Sequence, residues 1–323
     1  MWRSVLSREE IVQRVRELSG VSSSAGPDDD SIYAGVTAFA KAFEYWYVRV
    51  VREVVAKYRT KLIARINPFV RRIELEGKSA RECAEVFVND YTSRQFVTAG
   101  GWAIETLATS ASPTAQKSAT EGIDLQRHVK ISNDFHLYVV KSGTVTRNSD
   151  ILKALKSNAR KAEQILRQDK GTGQVIANYV AAAGRTSSTF EDGIRRPSSA
   201  EFWSEVLSLP EEHAVLLALA MAQVGGSLVQ SDAEYHEEGL VTLVTAYIED
   251  PANPGQVDWE YLATRTMQQK GAWAAEDKER HARATDALNA SGYDPDRATE
   301  LPDAPEADAA PVEEAAEAVT EEG

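Results

Sequence analysis

Apolar side chains recur every three or four positions through Val36, Phe39, Phe43, Tyr47, Val50, Val54, Tyr58 and Leu62, the period of one helix face. The spacing predicts a long helix that Pro68 breaks or bends. Before it, Ser7-Arg8-Glu9-Glu10 has the reciprocal side chains of a capping box, and Gly20 closes the helix so opened. Val21 to Asp30 reads as a linker rich in Ser, Gly, Pro and Asp. A further helix is expected from about Ser79 to Gln95, with Phe87 and Val88 in the core. Gly100-Gly101 then precedes a short helix, Trp102 to Ala108, which carries Glu105.

After Thr98 the period shifts from helical toward two. Gly122 to Val129 alternates as a strand, Ser132-Asn133-Asp134 turns the chain, and Phe135 to Lys141 returns. Asn148-Ser149-Asp150 can cap a helix whose apolar face is Ile151, Leu152, Leu155, Ala159, Ala162 and Leu166. Val175 to Val180 reads as a third strand. Helices follow around Ala200–Leu207 and Glu211–Gln223, then a polar helical segment to about Asn289. Helix, strand, strand, helix, strand is the order of an α/β protein with a mixed sheet flanked by helices. The organisation expected is a helical region over 1–98, a sheet-containing core over 99–250, a helical segment over 251–292 and an acidic disordered tail over 293–323.

Charge refines this picture. The 323 residues carry a formal charge of −13, yet residues 301–323 alone hold eight acids and no base. That stretch of Ala, Glu, Pro and Asp has too little apolar surface to fold. Two segments are basic: Lys41 to Arg72, with nine bases and two acids, and Lys141 to Lys170, with eight bases and three acids. Binding to DNA depends on such local fields, although solvated helix faces give the same pattern. Cys83 is the single cysteine, which excludes an intramolecular disulfide and suits a reducing cytoplasm. The apolar run Ala214 to Val224 is too short to span a bilayer, and no membrane partner is expected.

A hairpin turning between Ser132 and Asn133 sets Asp124 opposite Lys141 and Gln126 opposite Val139. Ile123, Leu125, Tyr138 and Val140 then share the other face. The acid and the lysine serve either a cross-strand salt bridge or a reaction. Val139-Val140-Lys141-Ser142-Gly143, preceded by Gly122-Ile123-Asp124, resembles the core of the PD-(D/E)xK nuclease superfamily. More narrowly, Tyr138 to Gly143 with Asn148-Ser149, Gly100-Gly101 to Glu105, and Phe202-Trp203 resemble the PmeII-type restriction endonucleases, over roughly residues 95–225.

That resemblance implies a restriction-endonuclease-like fold and Mg²⁺-dependent hydrolysis of phosphodiesters in double-stranded DNA. It makes Asp124 a metal ligand, the carbonyl of Val140 another, and Lys141 the cation that positions water or offsets charge on phosphate. The pattern departs at Val139, where an acid is usual. Glu105 matches the helix glutamate of many superfamily members and is the expected second carboxylate; Glu121 is a weaker candidate, and Gln126 offers a neutral oxygen.

Lys153, Lys156, Arg160 and Arg167 form one helical stripe suited to phosphates, Arg147 and Asn148 lie in the loop before it, and Arg185, Arg195 and Arg196 fall in a Ser/Thr/Gly-rich loop suited to reading guanines. The five histidines make no zinc spacing. The leading expectation is a sequence-specific type II restriction enzyme acting as a homodimer, with a cognate DNA methyltransferase as a further partner. The alternatives are a defence or repair nuclease aimed by a partner protein, and a catalytically dead DNA-binding protein on the same fold.

Overall fold

The computed structural model describes residues 6–141, 143, 149–170, 173–184, 187–267, 275–297 and 301–302. Helix α1 (Arg8–Ser19) opens on the expected capping box, with Ser7 and Glu10 each satisfying the other's backbone N–H, and ends at Gly20 in the left-handed conformation. Helices α2 (Asp29–Phe43) and α3 (Arg49–Lys61) run on through a π-helical turn at Glu44–Val48. Pro68 takes the first position of the short helix α4 (Pro68–Glu74), where its missing N–H costs nothing.

Helix α5 (Ala80–Ser110) is a single 31-residue rod, so the two helices expected on either side of Gly100-Gly101 are one. A mid-helix glycine costs only about 1 kcal/mol relative to alanine. Burial of Ala99, Ala103 and Leu107 on one face opposes that cost. The rod also crosses the boundary expected at 98/99. Val15, Val36 and Phe39 from the front of the chain share one core with Leu107, Leu125, Tyr138 and Val180.

Strands β1 (Ala115–Lys117), β2 (Leu125–Val129) and β3 (Asp134–Lys141) pair antiparallel in sequence. Helix α6 (Ser149–Lys170) crosses over to β4 (Val175–Ala181), parallel to β3. β5 (Thr189–Glu191) and β6 (Ile194–Arg196) complete a six-stranded sheet in the order β1-β2-β3-β4-β6-β5. The mixed sheet flanked by helices is the architecture expected. β1, β5 and β6 were not foreseen, because three residues are too few for alternation to register.

Helix α7 (Ser199–Leu207) leads into α8 (Glu211–Ile248), followed by α9 (Trp259–Met267) and α10 (Ala275–Ala290). α8 extends well past the apolar run that marks its start and is long and apolar enough, by length and composition, to cross a membrane. Its buried apolar residues pack against α1, α2, α3, α5, α7 and α10, while Val215, Leu216 and Leu219 are exposed. One face of the sheet, with Leu125, Tyr138, Val140 and Val180, meets α5 and Phe202 of α7. The other, with Leu137, Val139, Ala177, Tyr179 and Ile194, meets Leu155 and Ala162 of α6.

Three residues within the span expected to be tail, Tyr293, Arg297 and Leu301, make contacts with the rest of the protein. Tyr293 donates to or accepts from His236 Nδ1 at 2.8 Å, Arg297 pairs with Asp232 at 2.8 Å, and Leu301 packs on the main core. Residues 303–323, which hold the eight acids, lie outside the described residues.

Candidate active site

The hairpin register differs by two residues from the one expected. Leu125 pairs with Tyr138 and Gln126 with Leu137, not with Val139. The turn is four residues long, Lys130 to Asn133, with Asn133 left-handed and its Oδ1 2.8 Å from His128 Nε2. A two-residue slip preserves which face each side chain takes. It does move Asp124 off Lys141. Asp124 precedes β2, its N–H donating to the Tyr138 carbonyl at 2.9 Å, and its carboxylate Oδ2 accepts the Val140 N–H at 2.7 Å. Ile123 also departs from the strand and packs with Leu137 and Val139 on the α6 side.

Gly122 makes this placement possible. Its φ of +72° is left-handed, and a Cβ there would stand 2.4 Å from Asn158 Nδ2 of α6. The turn that aims Asp124 back at β3 is thus pressed against the crossover helix.

Glu105 comes to the same place from α5. It is buried enough to be pushed up to about 7, first by desolvation and then by the charge of Asp124, with Lys141 and Lys117 opposing. Asp124 is likewise raised by desolvation, held back by the Val140 N–H and by the same two lysines. Two carboxylates and two lysines from α5, the β1 end, the turn before β2 and the β3 end therefore share one field. The structure brings together Glu105, Asp124, Lys141 and the Val140 backbone. Val139 is 7% exposed in the apolar layer beneath α6, so no carboxylate could replace it without loss of packing.

Lys117 is the member that sequence reasoning missed. It ends a three-residue strand paired with Leu125, one residue from Asp124. Only that pairing reveals it.

The other predicted residues are more scattered. Lys153 and Arg160 are exposed on α6, while Lys156 is half-buried and 4.0 Å from Asp192 in the β5–β6 turn. Arg195 and Arg196 lie on β6, not in a loop. Arg195 pairs with Glu205 at 2.6 Å, and the same glutamate accepts the Tyr138 hydroxyl at 2.6 Å. Arg196 is 3.7 Å from Glu191. Arg147, Asn148 and Arg185 fall outside the described residues. No group of three His, Cys, Asp or Glu side chains suited to a metal occurs among the described residues.

Paired carboxylates beside lysines, at one end of a mixed sheet flanked by helices, form the kind of site that hydrolyses phosphodiesters. A family model described as "Type II restriction endonuclease EcoO109I" matches residues 37–220, more than half of the chain, and the chain belongs to that family. It is accordingly a restriction nuclease, a DNA phosphodiester hydrolase. The match extends from α2 to α8, so it includes the helical front as well as the sheet. No curated protein matches the chain.

Proposed function

We propose that the protein is a Mg²⁺-dependent, sequence-specific endonuclease that cuts both strands of DNA, with Asp124, Glu105 and Lys141 as its catalytic residues. The observation that carries this reading is the pair of half-buried carboxylates, Glu105 and Asp124, each raised by desolvation and close enough for the charge of Asp124 to raise Glu105 further. Such a pair is costly when empty and suits a hard divalent cation, which takes oxygen ligands and removes the repulsion. Asp124, Glu105 and the Val140 carbonyl would hold it; when bound, Mg²⁺ polarises the phosphate and favours ionisation of the attacking water.

The chain's own residues do the rest. Lys141 and Lys117 supply positive charge at the site, which balances charge gathering on the phosphoryl oxygens. The Val140 N–H fixes one oxygen of Asp124, so its second oxygen and the neighbouring Glu105 are left for the reaction. Attack of water oxygen on phosphorus breaks one P–O ester bond and leaves a phosphate monoester and a hydroxyl. Lys153, Lys156 and Arg160, with Arg147 and Asn148, are assigned to phosphates, and Arg185, Arg195 and Arg196 to bases; for Arg195 that role requires release from Glu205.

Two cuts need two sites, which favours a homodimer on a two-fold target, with a cognate methyltransferase protecting host DNA. The finer likeness to the PmeII type is carried by Tyr138 to Gly143 with Gly100, Gly101 and Glu105. Incubation with phage DNA and Mg²⁺ is the test. Discrete fragments support the reading; a smear would make the nuclease non-specific, and a mobility shift without cutting would make it a binder.

A further inference from the structure

A second basic surface lies well away from the carboxylates. A groove of about 470 Å³ opens between the end of α3, α4 and the middle of α5, lined by Lys61, Arg65, Arg71 and Arg94 with Asn67 and Asp90. Asp90 is the only acid in the lining, and Arg71 is tied to it and to Glu74. Arg65 and Arg94 are exposed and Lys61 is half-buried, so three further cations face the groove without an acid to match them. Beside it, Phe69, Val70 and Ile73 of α4 are 67%, 56% and 80% exposed.

The geometry of α5 relates this groove to the carboxylates. Arg94 and Glu105 are eleven residues apart on one unbroken helix, which is about three turns, so both lie on the same face. Thr98 and Gly101 fall between them on that face, and Thr98 is exposed. The buried Ala99, Ala103 and Leu107 lie on the opposite side. The axial distance is about 16 Å at 1.5 Å per residue. At about 3.4 Å of duplex per base pair, that is roughly five base pairs.

We infer that the Lys61–Arg65–Arg94 groove is a second DNA-phosphate site, holding the duplex backbone about five base pairs from the bond cut at Glu105 and Asp124, with α5 lying along the DNA between them. The inference rests on the endonuclease reading and extends it to the helical front. Charge selects the ligand: an excess of three cations along an exposed face suits a polyanion, and Gly101 lets a backbone pass close to α5.

The test compares the full-length protein with its Lys61→Gln/Arg65→Gln/Arg94→Gln variant, by anisotropy of a labelled 30-base-pair mixed-sequence duplex over a metal-free salt series. Losing three phosphate contacts should make the slope of log Kd against log salt shallower by about 2.7 and weaken binding at least tenfold at low salt. Arg94→Glu should weaken binding more than Arg94→Gln. If the parent binds steeply and the triple variant, with an unchanged far-UV spectrum, keeps slope and affinity, the groove is not a DNA site. If the parent itself shows no salt-dependent binding, the endonuclease reading falls, and the groove assignment with it.

Discussion

The Asp124 carboxylate accepts the backbone N–H of Val140 at 2.7 Å, so the acid is fastened to the strand that carries Lys141 rather than to the lysine itself. This contact gives Asp124 two separable duties, as a hydrogen-bond acceptor and as a charge. Asp124→Asn keeps an acceptor for Val140 and should leave the melting temperature nearly unchanged while cleavage of plasmid DNA drops by on the order of a hundredfold or more. Asp124→Ala should lose cleavage and also cost about 1–3 kcal/mol, because the Val140 N–H is left unpaired. Thermal denaturation beside a nicking assay separates the two.

Glu105 makes the metal-free protein sensitive to pH. Its carboxyl is raised from the usual 4.5 to about 7, so the folded state holds a proton that the unfolded state gives up. Stability from this group is therefore complete below about pH 4.5 and lost as pH rises to 7 and beyond. Glu105→Gln removes that loss. In chelator at pH 8 the variant should be more stable by about 2 kcal/mol, with little difference at pH 4.5, yet it should not cut DNA. A denaturant series at both pH values measures the difference; equal gains at the two would remove the link to ionisation.

Lys117 should matter to chemistry although it belongs to none of the motifs that carry the resemblance. Lys117→Met removes one of two cations acting on both carboxylates, and single-turnover cleavage should fall at least tenfold, less than for Lys141→Met. An unchanged rate would confine Lys117 to the edge of the sheet.

Gly122→Ala should be destabilising by about 2 kcal/mol or more, from its left-handed φ together with the approach to Asn158. Pairing it with Asn158→Ala should recover the steric share and leave the backbone share, as a double-mutant cycle would report.

Removing residues 303–323 should leave the melting temperature unchanged and tighten DNA binding at low salt, since eight acids repel phosphates within a Debye length. Removal from Tyr293 onward should instead destabilise the fold. It strips the partners of His236 and Asp232 and uncovers the wall beside Gly239, where Tyr293 sits.

Periodicity made the helices legible, since burial on one face leaves a repeat of three or four over many residues. The capping box at Ser7 and the core positions Phe87 and Val88 were readable for that reason. Local signals failed where a distant partner decided the outcome. Gly100-Gly101 looks like a break, but the buried alanines of α5 hold the rod together across it. The hairpin register turned on Asn133 accepting a left-handed conformation in a four-residue turn, which two-residue turn rules do not include. Asp124 and Lys141 could be paired from the hairpin pattern, but their roles, and Glu105 altogether, came from the resemblance to a nuclease family. Their meeting through Val140, and the presence of Lys117, required the sheet.

The unbroken α5 has a mechanical consequence. A helix shared by the front of the molecule and the wall of the site leaves no joint at which one could swing against the other. Any tightening around a bound duplex then falls to the parts attached at one end, such as the hairpin of β5 and β6, whose strands are three residues each. On the inference drawn above, the distance from Arg94 to Glu105 is set by one continuous helix, and that helix would space the two contacts along the DNA.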